Sequence, residues 1–318
     1  MQREICGFWR RAASFFIDIL ILGLFGILLG LFFSQQFVVL GGWGRIVGFA
    51  IAALYFGVLN SRILNGQTVG KKIFGIQVVD ENGQLIDIWK SLIRYSIIGV
   101  PFFLNGAQIS ANVLHSVWLY LVAFLVFGVG LSIVYLLVFN RNTRQSLHDF
   151  LVGTYVIKIR NAEMSTLKRV WRFHYGVCAT LLVTSLCIPI LVKHLSQTEF
   201  FAELLDVQER VQSLPTVAHA SISDGKTTFR PVDGDATLTT YIKCDALLSI
   251  DETANEVLAA EIADAILATH TKSSERNVIH VALIYGYDIG ISSFWRSNSY
   301  SFSPAQWKER IKNTSEYH

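Results

Sequence analysis

The sequence predicts an α-helical polytopic membrane domain of about five transmembrane helices with a small cytoplasmic β element, followed by a soluble α+β two-layer sandwich domain. Three observations predict it. Of 318 residues, 52% are hydrophobic and only 16% charged, against about 25% charged in a soluble domain, and the mean hydropathy is +0.43. The apolar residues gather in runs near the roughly 20 residues that cross a bilayer. Charge then divides the chain: residues 1–194 carry 17 Lys+Arg and 7 Asp+Glu, net +10, whereas residues 195–318 carry 10 and 17, net −7. A basic membrane half and an acidic aqueous half fit that asymmetry. The expected boundaries are 1–160 for the membrane domain, 161–194 for a basic linker and final span, and 195–318 for the soluble domain.

Four runs read as spans: Ala13–Phe33, Ile46–Leu59 with its flanks, Val117–Phe139 and Tyr175–Val192. Phe15–Phe33 is too long for the apolar core of a signal peptide and has no small-residue cleavage site after it, so it reads as a retained helix. A fifth run, Tyr95–Leu104, is short and contains Pro101. Charge argues that it crosses. With five spans one side collects Arg3, Arg10, Arg11, Arg62, Lys71, Lys72, Lys90, Arg94, Arg141, Arg144, Lys158, Arg160, Lys168, Arg169 and Arg172, leaving Arg45 and Lys193 on the other. Lys and Arg mark cytoplasmic loops. The expectation is therefore a multi-pass protein of the cell (inner) membrane, amino terminus cytoplasmic and carboxyl-terminal domain periplasmic. Trp9, Trp43, Trp89 and Trp118 stand near span ends, as interfacial anchors do.

Asp18 is the unusual residue, because an acid within a span is costly and should face other helices. Two readings compete: a proton or cation site, or a polar clamp that bonds another helix or loop. Relays usually use several ionisable groups, and this region offers few others, which favours the clamp. Arg11, seven residues earlier, lies on nearly the same face and is within reach of Asp18.

The segment Gly66-Gln67-Thr68-Val69-Gly70-Lys71-Lys72 follows the second span. It has only a surface likeness to a phosphate loop, which needs four residues between its glycines and a Ser or Thr after its Lys. A turn on glycines leading to a strand over Ile73–Val79 fits better. Asp80-Glu81-Asn82-Gly83 signals a turn, with Gln84–Ile88 as a returning strand. Further on, Leu147-His148-Asp149 precedes Gly153 and an alternating strand, Thr154–Ile159, suited to pair with Ile73–Val79. His148 beside Asp149 suggests acid–base chemistry, but no nucleophile or metal-ligand spacing accompanies them, so a local polar network is the expectation. Cys6, Cys178, Cys187 and Cys244 show no metal or redox spacing. No cofactor, no metal and no enzymatic activity are expected.

Together three segments resemble the RDD family of bacterial membrane proteins, named for one arginine and two aspartates. They are Gly7-Phe8-Trp9-Arg10-Arg11-Ala12-Ala13 with Asp18; Gly66-Gln67-Thr68-x-Gly70-Lys71 running to Gly75, Val78-Val79-Asp80 and Gly83; and Leu147-His148-Asp149 with Gly153-Thr154-x-Val156. Arg11, Asp18 and Asp149 match the family's named residues, and Arg94 fits a basic position after the middle loop. The resemblance covers about residues 5–160. It implies transport of an unidentified ligand, and sodium–proton antiport in some members.

In the acidic part, Glu199–Leu214 reads as an amphipathic helix, and Thr216–Ser223 and Ala236–Leu247 as strands with turns at Asp224-Gly225 and Asp233-Gly234. Glu252–Thr269 reads as a helix. Val278–Tyr287 and Ile291–Ser301 form a hairpin about Asp288-Ile289-Gly290, before a short helix over Pro304–Ile311. The order α-β-β-α-β-β-α predicts two layers with a mostly antiparallel sheet. Net −7 argues against a nucleic-acid partner.

Two functions follow. One is transport of ions or small solutes across the lipid bilayer, with Asp18 exchanging a monovalent cation for protons and Arg11 and Asp149 shaping the gate. The other is a membrane scaffold whose residues 195–318 bind an envelope protein. Cys244 offers a topology test with an impermeant thiol reagent.

Overall fold

The computed structural model describes residues 5–107, 113, 116–159, 170–229 and 236–315. The expected turn at Asp233-Gly234 and the basic residues Arg3, Arg160, Lys168 and Arg169 lie outside them. By internal packing the chain forms two units: Met1–Phe33, Gly42–Val192 and Asp288–Ser293 make one, and Ser34–Gly41, Lys193–Tyr287 and Phe294–His318 the other.

Among the described residues three helical stretches are long and apolar enough to cross a membrane: Phe8–Leu59, Trp118–Phe139 and Arg172–Ser196. The first holds two helices, α1 (Phe8–Leu40, kinked at Phe33) and α2 (Gly44–Leu59), separated by a turn at Gly41–Trp43. The second runs through α5 (Trp118–Ala123), a π-helical turn (Phe124–Val129) and α6 (Gly130–Phe139). The third holds α8 (Arg172–Ser185) and α9 (Ile188–Ser196). Between them lie α3 (Val69–Ile73), β1 (Ile76–Asp80), α4 (Ile88–Leu104, with Pro101 inside), α7 (Leu147–Val152) and β2 (Thr154–Lys158).

Side-chain pattern explains why α1 suits lipid. Ser14, Asp18, Leu22, Gly26 and Gly30, four residues apart, are buried. On another face Phe16, Leu20, Leu24, Leu28 and Phe32 are 51–77% exposed. Positions i and i+4 stack on one side of a helix, so α1 has a packed stripe and an apolar stripe that only lipid can cover. Trp9, Trp43, Trp89 and Trp118 are 66–81% exposed, as interfacial anchoring requires. The 17 residues of α4 reach about 26 Å.

Strands β1 and β2 pair antiparallel, from Ile76 opposite Lys158 to Asp80 opposite Thr154. Two details differ from the sequence expectation. Ile73 closes α3, so the strand starts at Ile76. Gln84–Ile88 is not a strand: the Gln84 carbonyl accepts from the Asp80 amide at 2.8 Å, and Asp87 caps α4 by accepting from the Lys90 amide at 2.9 Å. A capping carboxylate there favours a helix start over a ladder.

The second unit contains α10 (Glu199–Gln212), β3 (Val217–Phe229), β4 (Thr237–Leu248), α11 (Glu256–Thr269), β5 (Val278–Asp288), β6 (Ser293–Phe302) and α12 (Pro304–Ser315). Its sheet has the order β3-β4-β5-β6. Ile242, Cys244, Ala246 and Leu248 of β4 and Ile279, Val281 and Leu283 of β5 alternate into one core, with Val207, Val211, Ile262, Ile266 and Trp307 from the helices. Alternation puts one face of each strand against the helical layer.

One expectation is refined in this unit and one is corrected. The sheet is mixed: β3–β4 is antiparallel but β4–β5 is parallel. The chain returns through α11, and a crossover helix brings the next strand back in the same direction. Asp224-Gly225 is not a turn, because β3 runs through it to Phe229. Arg276 holds the Asp224 carboxylate at 2.5 and 2.9 Å, and Gly225 lies opposite Tyr241, whose ring leaves no room for a Cβ. Cys244 is wholly buried, and burial pushes its thiol up to about 12, so it cannot report membrane sidedness. Asn255 caps α11 through the Leu258 amide at 3.1 Å. Asn255→Ala is expected to lower stability by about 1 kcal/mol, read as the urea midpoint followed by circular dichroism.

Candidate functional site

Two buried carboxylates organise the first unit. Asp18, on the packed stripe of α1, has no exposed surface. Its Oδ1 accepts from the Tyr55 hydroxyl at 2.8 Å and the Gly70 amide at 2.9 Å. Its Oδ2 accepts from the Thr68 hydroxyl at 2.6 Å. Thr68 also caps α3 through the Lys71 amide at 3.3 Å, so one side chain starts α3 and ties it to α1. The approach is close: a Cβ on Gly70 would fall 2.1 Å from the Ser14 carbonyl oxygen. Gly66, with φ +66, sits under the Val78 carbonyl, where a Cβ would fall 2.6 Å from that oxygen. The Gln67 amide donates to the Ile76 carbonyl at 2.9 Å. Gly75 has φ +60.

Asp149 is also wholly buried. It stands in the first turn of α7, where it completes a capping box with Ser146. Arg11 of α1 donates to its Oδ2 at 2.5 Å, and Arg94 of α4 donates to its Oδ1 at 2.6 and 3.0 Å. Arg11 also donates to the Arg144 carbonyl. Thr154, the first residue of β2, contacts both Asp149 and Arg94 at 3.2 Å. The His148 Nε2 lies 3.2 Å from Arg94 and 3.4 Å from Asp149. Gly153, with φ +63, closes α7. One carboxylate thus joins α1, α4, α7 and β2.

Arg11 therefore does not pair with Asp18, although both lie on one side of α1. Its guanidinium turns to Asp149, where two arginines share a single buried counter-charge. The structure brings Arg11, Asp149, His148 and Thr154 together, and separately brings Asp18 to Thr68 and Gly70. Sequence reasoning missed Tyr55, and it noted Arg94 only as a basic position of the family motif, not as a partner of Asp149. Tyr55 is a hydroxyl inside the apolar run of the second helix, with no local signal of what it bonds. Arg94 is an arginine between Ile93 and Tyr95; its place among apolar neighbours was the available clue.

The electrostatics follow from packing. Burial alone would raise the Asp149 carboxyl, but Arg11 and Arg94 override it and hold it well below the usual carboxylate range. Burial lowers His148 to about 3, with Arg94 adding to the effect and Asp149 opposing it. An unfolded His binds its proton near pH 6.5, roughly. Between those values the unfolded chain is protonated and the folded chain is not. Stability should therefore fall as pH drops below about 6.5, by at most about 1.4 kcal/mol per pH unit from this residue. Asp149 contributes its own loss only below about pH 4, where unfolded carboxylates titrate. His148→Gln is expected to flatten part of the slope between these limits, measured as the thermal midpoint in detergent against pH.

Comparisons with known proteins agree on the front of the chain. The family model described as "RDD family" matches residues 5–153. Two relatives come from Bacillus subtilis (strain 168). "Uncharacterized protein YckC" is 24% identical over 107 residues, 34% of this chain and 57% of that protein. "Uncharacterized protein YxaI" is 26% identical over 129 residues, 33% of this chain and 84% of that protein. The chain thus spans little more than half of the first relative. No solved structure matches. With its apolar helices this is a membrane protein, and the motif about Arg11, Asp18 and Asp149 lies in a region, residues 5–153, that matches the RDD family.

Proposed function

We propose that the first unit is a multi-pass transport module that exchanges a monovalent cation for a proton at Asp18, Tyr55, Thr68 and Lys71. The observation that carries this reading is a membrane carboxylate with no exposed surface, ringed by two hydroxyls and one amide. Hydroxyls donate to a carboxylate but can also turn a lone pair to a cation. Ionisable groups inside a membrane mark ion and proton paths. Lys71 follows the amide that binds Asp18 and lies 6.0 Å from the Phe56 ring centre. Burial and neighbouring Arg94 lower its amine to about 7, with Asp18 opposing. Loss of its proton near neutral pH leaves the Asp18 charge to be balanced by a metal cation instead.

In this reading Arg11 and Asp149 lock the helices rather than touch the ion. No cofactor or chemical reaction is assigned. The charge bias supports five spans with α4 crossing, in a bacterial inner membrane, amino terminus inside and the acidic domain outside. Inverted vesicles should show sodium-dependent proton movement that Asp18→Asn abolishes and Lys71→Gln strips of its pH dependence near neutrality. Wild-type vesicles without such movement would sink the reading. Topology is tested with engineered cysteines: Lys226→Cys should react with an impermeant reagent outside the cell, and Asn82→Cys and Asn142→Cys should not.

One observation favours a scaffold instead. Both Asp18 oxygens are already satisfied by three donors at 2.6–2.9 Å, so the acid serves equally as a clamp. A scaffold should co-purify with an envelope protein and lose it when residues 196–318 are deleted. A clean monomer after gentle extraction would count against it.

A further inference from the structure

In the first unit a cavity of about 500 Å³ opens between the start of α1, the end of α6 and the end of β2. Four of its lining residues are cationic: Arg10, Arg141, Arg144 and Lys158, beside Phe8 and Trp9. Among the described residues no acidic one lines it. Three separate parts of the chain thus bring positive charge to one concave surface, although like charges repel. Arg144 adopts φ +54, a conformation costly for a residue with a Cβ. Its carbonyl accepts from Arg11, so the buried network holds this backbone at the edge of the cavity.

Depth identifies the ligand. Phe8 begins one membrane-crossing stretch and Phe139 ends another, so the cavity lies where span ends meet the lipid headgroups. Trp9, 81% exposed, suits that level. Basic pockets among membrane helices take anionic headgroups, and guanidinium groups match phosphate oxygens.

We propose that this cavity seats the phosphate of an anionic lipid headgroup. Among the described residues it is distinct from the Asp18 site, so the assignment stands or falls independently of ion transport. The shared chemistry with a soluble phosphate is resolved by the test.

The full chain is purified in detergent with equal amounts of phosphatidylglycerol and phosphatidylcholine, and retained lipid is counted by native mass spectrometry. The wild type should favour phosphatidylglycerol. Arg10→Gln with Arg141→Gln should reduce that preference roughly 25-fold, since each surface cation contributes about a fivefold attraction. Arg10→Lys with Arg141→Lys should retain most of the preference, which separates charge from folding. Lys72→Gln, an exposed cation outside the cavity, should leave it unchanged. Equal retention of both lipids by the wild type, or a preference untouched by the glutamine pair, overturns the proposal. A second arm titrates inorganic phosphate into lipid-free protein by calorimetry. Binding there that the glutamine pair abolishes, without any lipid preference, assigns the cavity to soluble phosphate and overturns the lipid assignment.

Discussion

Asp149→Asn is expected to destabilise the first unit by about 3–5 kcal/mol, the cost of leaving a buried ion pair without one partner. The reason is the 2:1 arrangement. Arg11 and Arg94 share this one carboxylate, and their side chains are only 10% and 7% exposed. Asparagine keeps the shape but leaves two guanidinium groups buried beside a neutral amide, and it weakens the cap of α7. Arg94→Lys keeps the charge and loses the planar two-bond grip, so its loss should be smaller. The thermal midpoint in detergent, followed by tryptophan fluorescence, separates the two. A shift for Asp149→Asn no larger than about 0.5 kcal/mol, as for an ordinary surface change, would show that the network does not hold the helices together.

Gly70→Ala should be nearly as damaging for a different reason. The added Cβ would meet the Ser14 carbonyl oxygen at 2.1 Å and the Asp18 Cγ at 3.1 Å. Neither can rotate away, because one is backbone and the other is held by three donors. Helix α3 must lift from α1, and the Gly70 and Thr68 bonds to Asp18 stretch with it. Overpacking costs about 1–3 kcal/mol, and each buried hydrogen-bond partner left unsatisfied costs about 1–3 kcal/mol more. Gly75→Ala is the control. It has open space around it and φ +60, so only the left-handed backbone opposes it, at about 1–2 kcal/mol. Equal midpoints for the two variants would mean that close approach is not what Gly70 provides.

Much of this was legible in the chain. The four-residue stripe on α1, the apolar runs of the spans and the glycines at 66, 75 and 153 report local geometry, which depends on residues a few positions apart. The order of helices and strands after residue 195 follows from the same short-range periodicity. The pairing of two short alternating strands, expected over Ile73–Val79 and Thr154–Ile159, was legible too, although the start of the first at Ile76 was not.

The partners of the charged groups were another matter. Arg11 and Asp18 share a side of one helix, yet Arg11 bonds Asp149, 138 positions away, and Asp18 bonds Tyr55, 37 positions away. Arg94 reaches Asp149 across 55 positions. Likewise the parallel pairing of β4 with β5, and the passage of β3 through Asp224-Gly225, depend on neighbours distant in sequence. Periodicity by itself determined which face of each element is packed. Only the tertiary structure decided which packed faces meet, because a buried charge takes whichever counter-charge the fold brings within bonding distance.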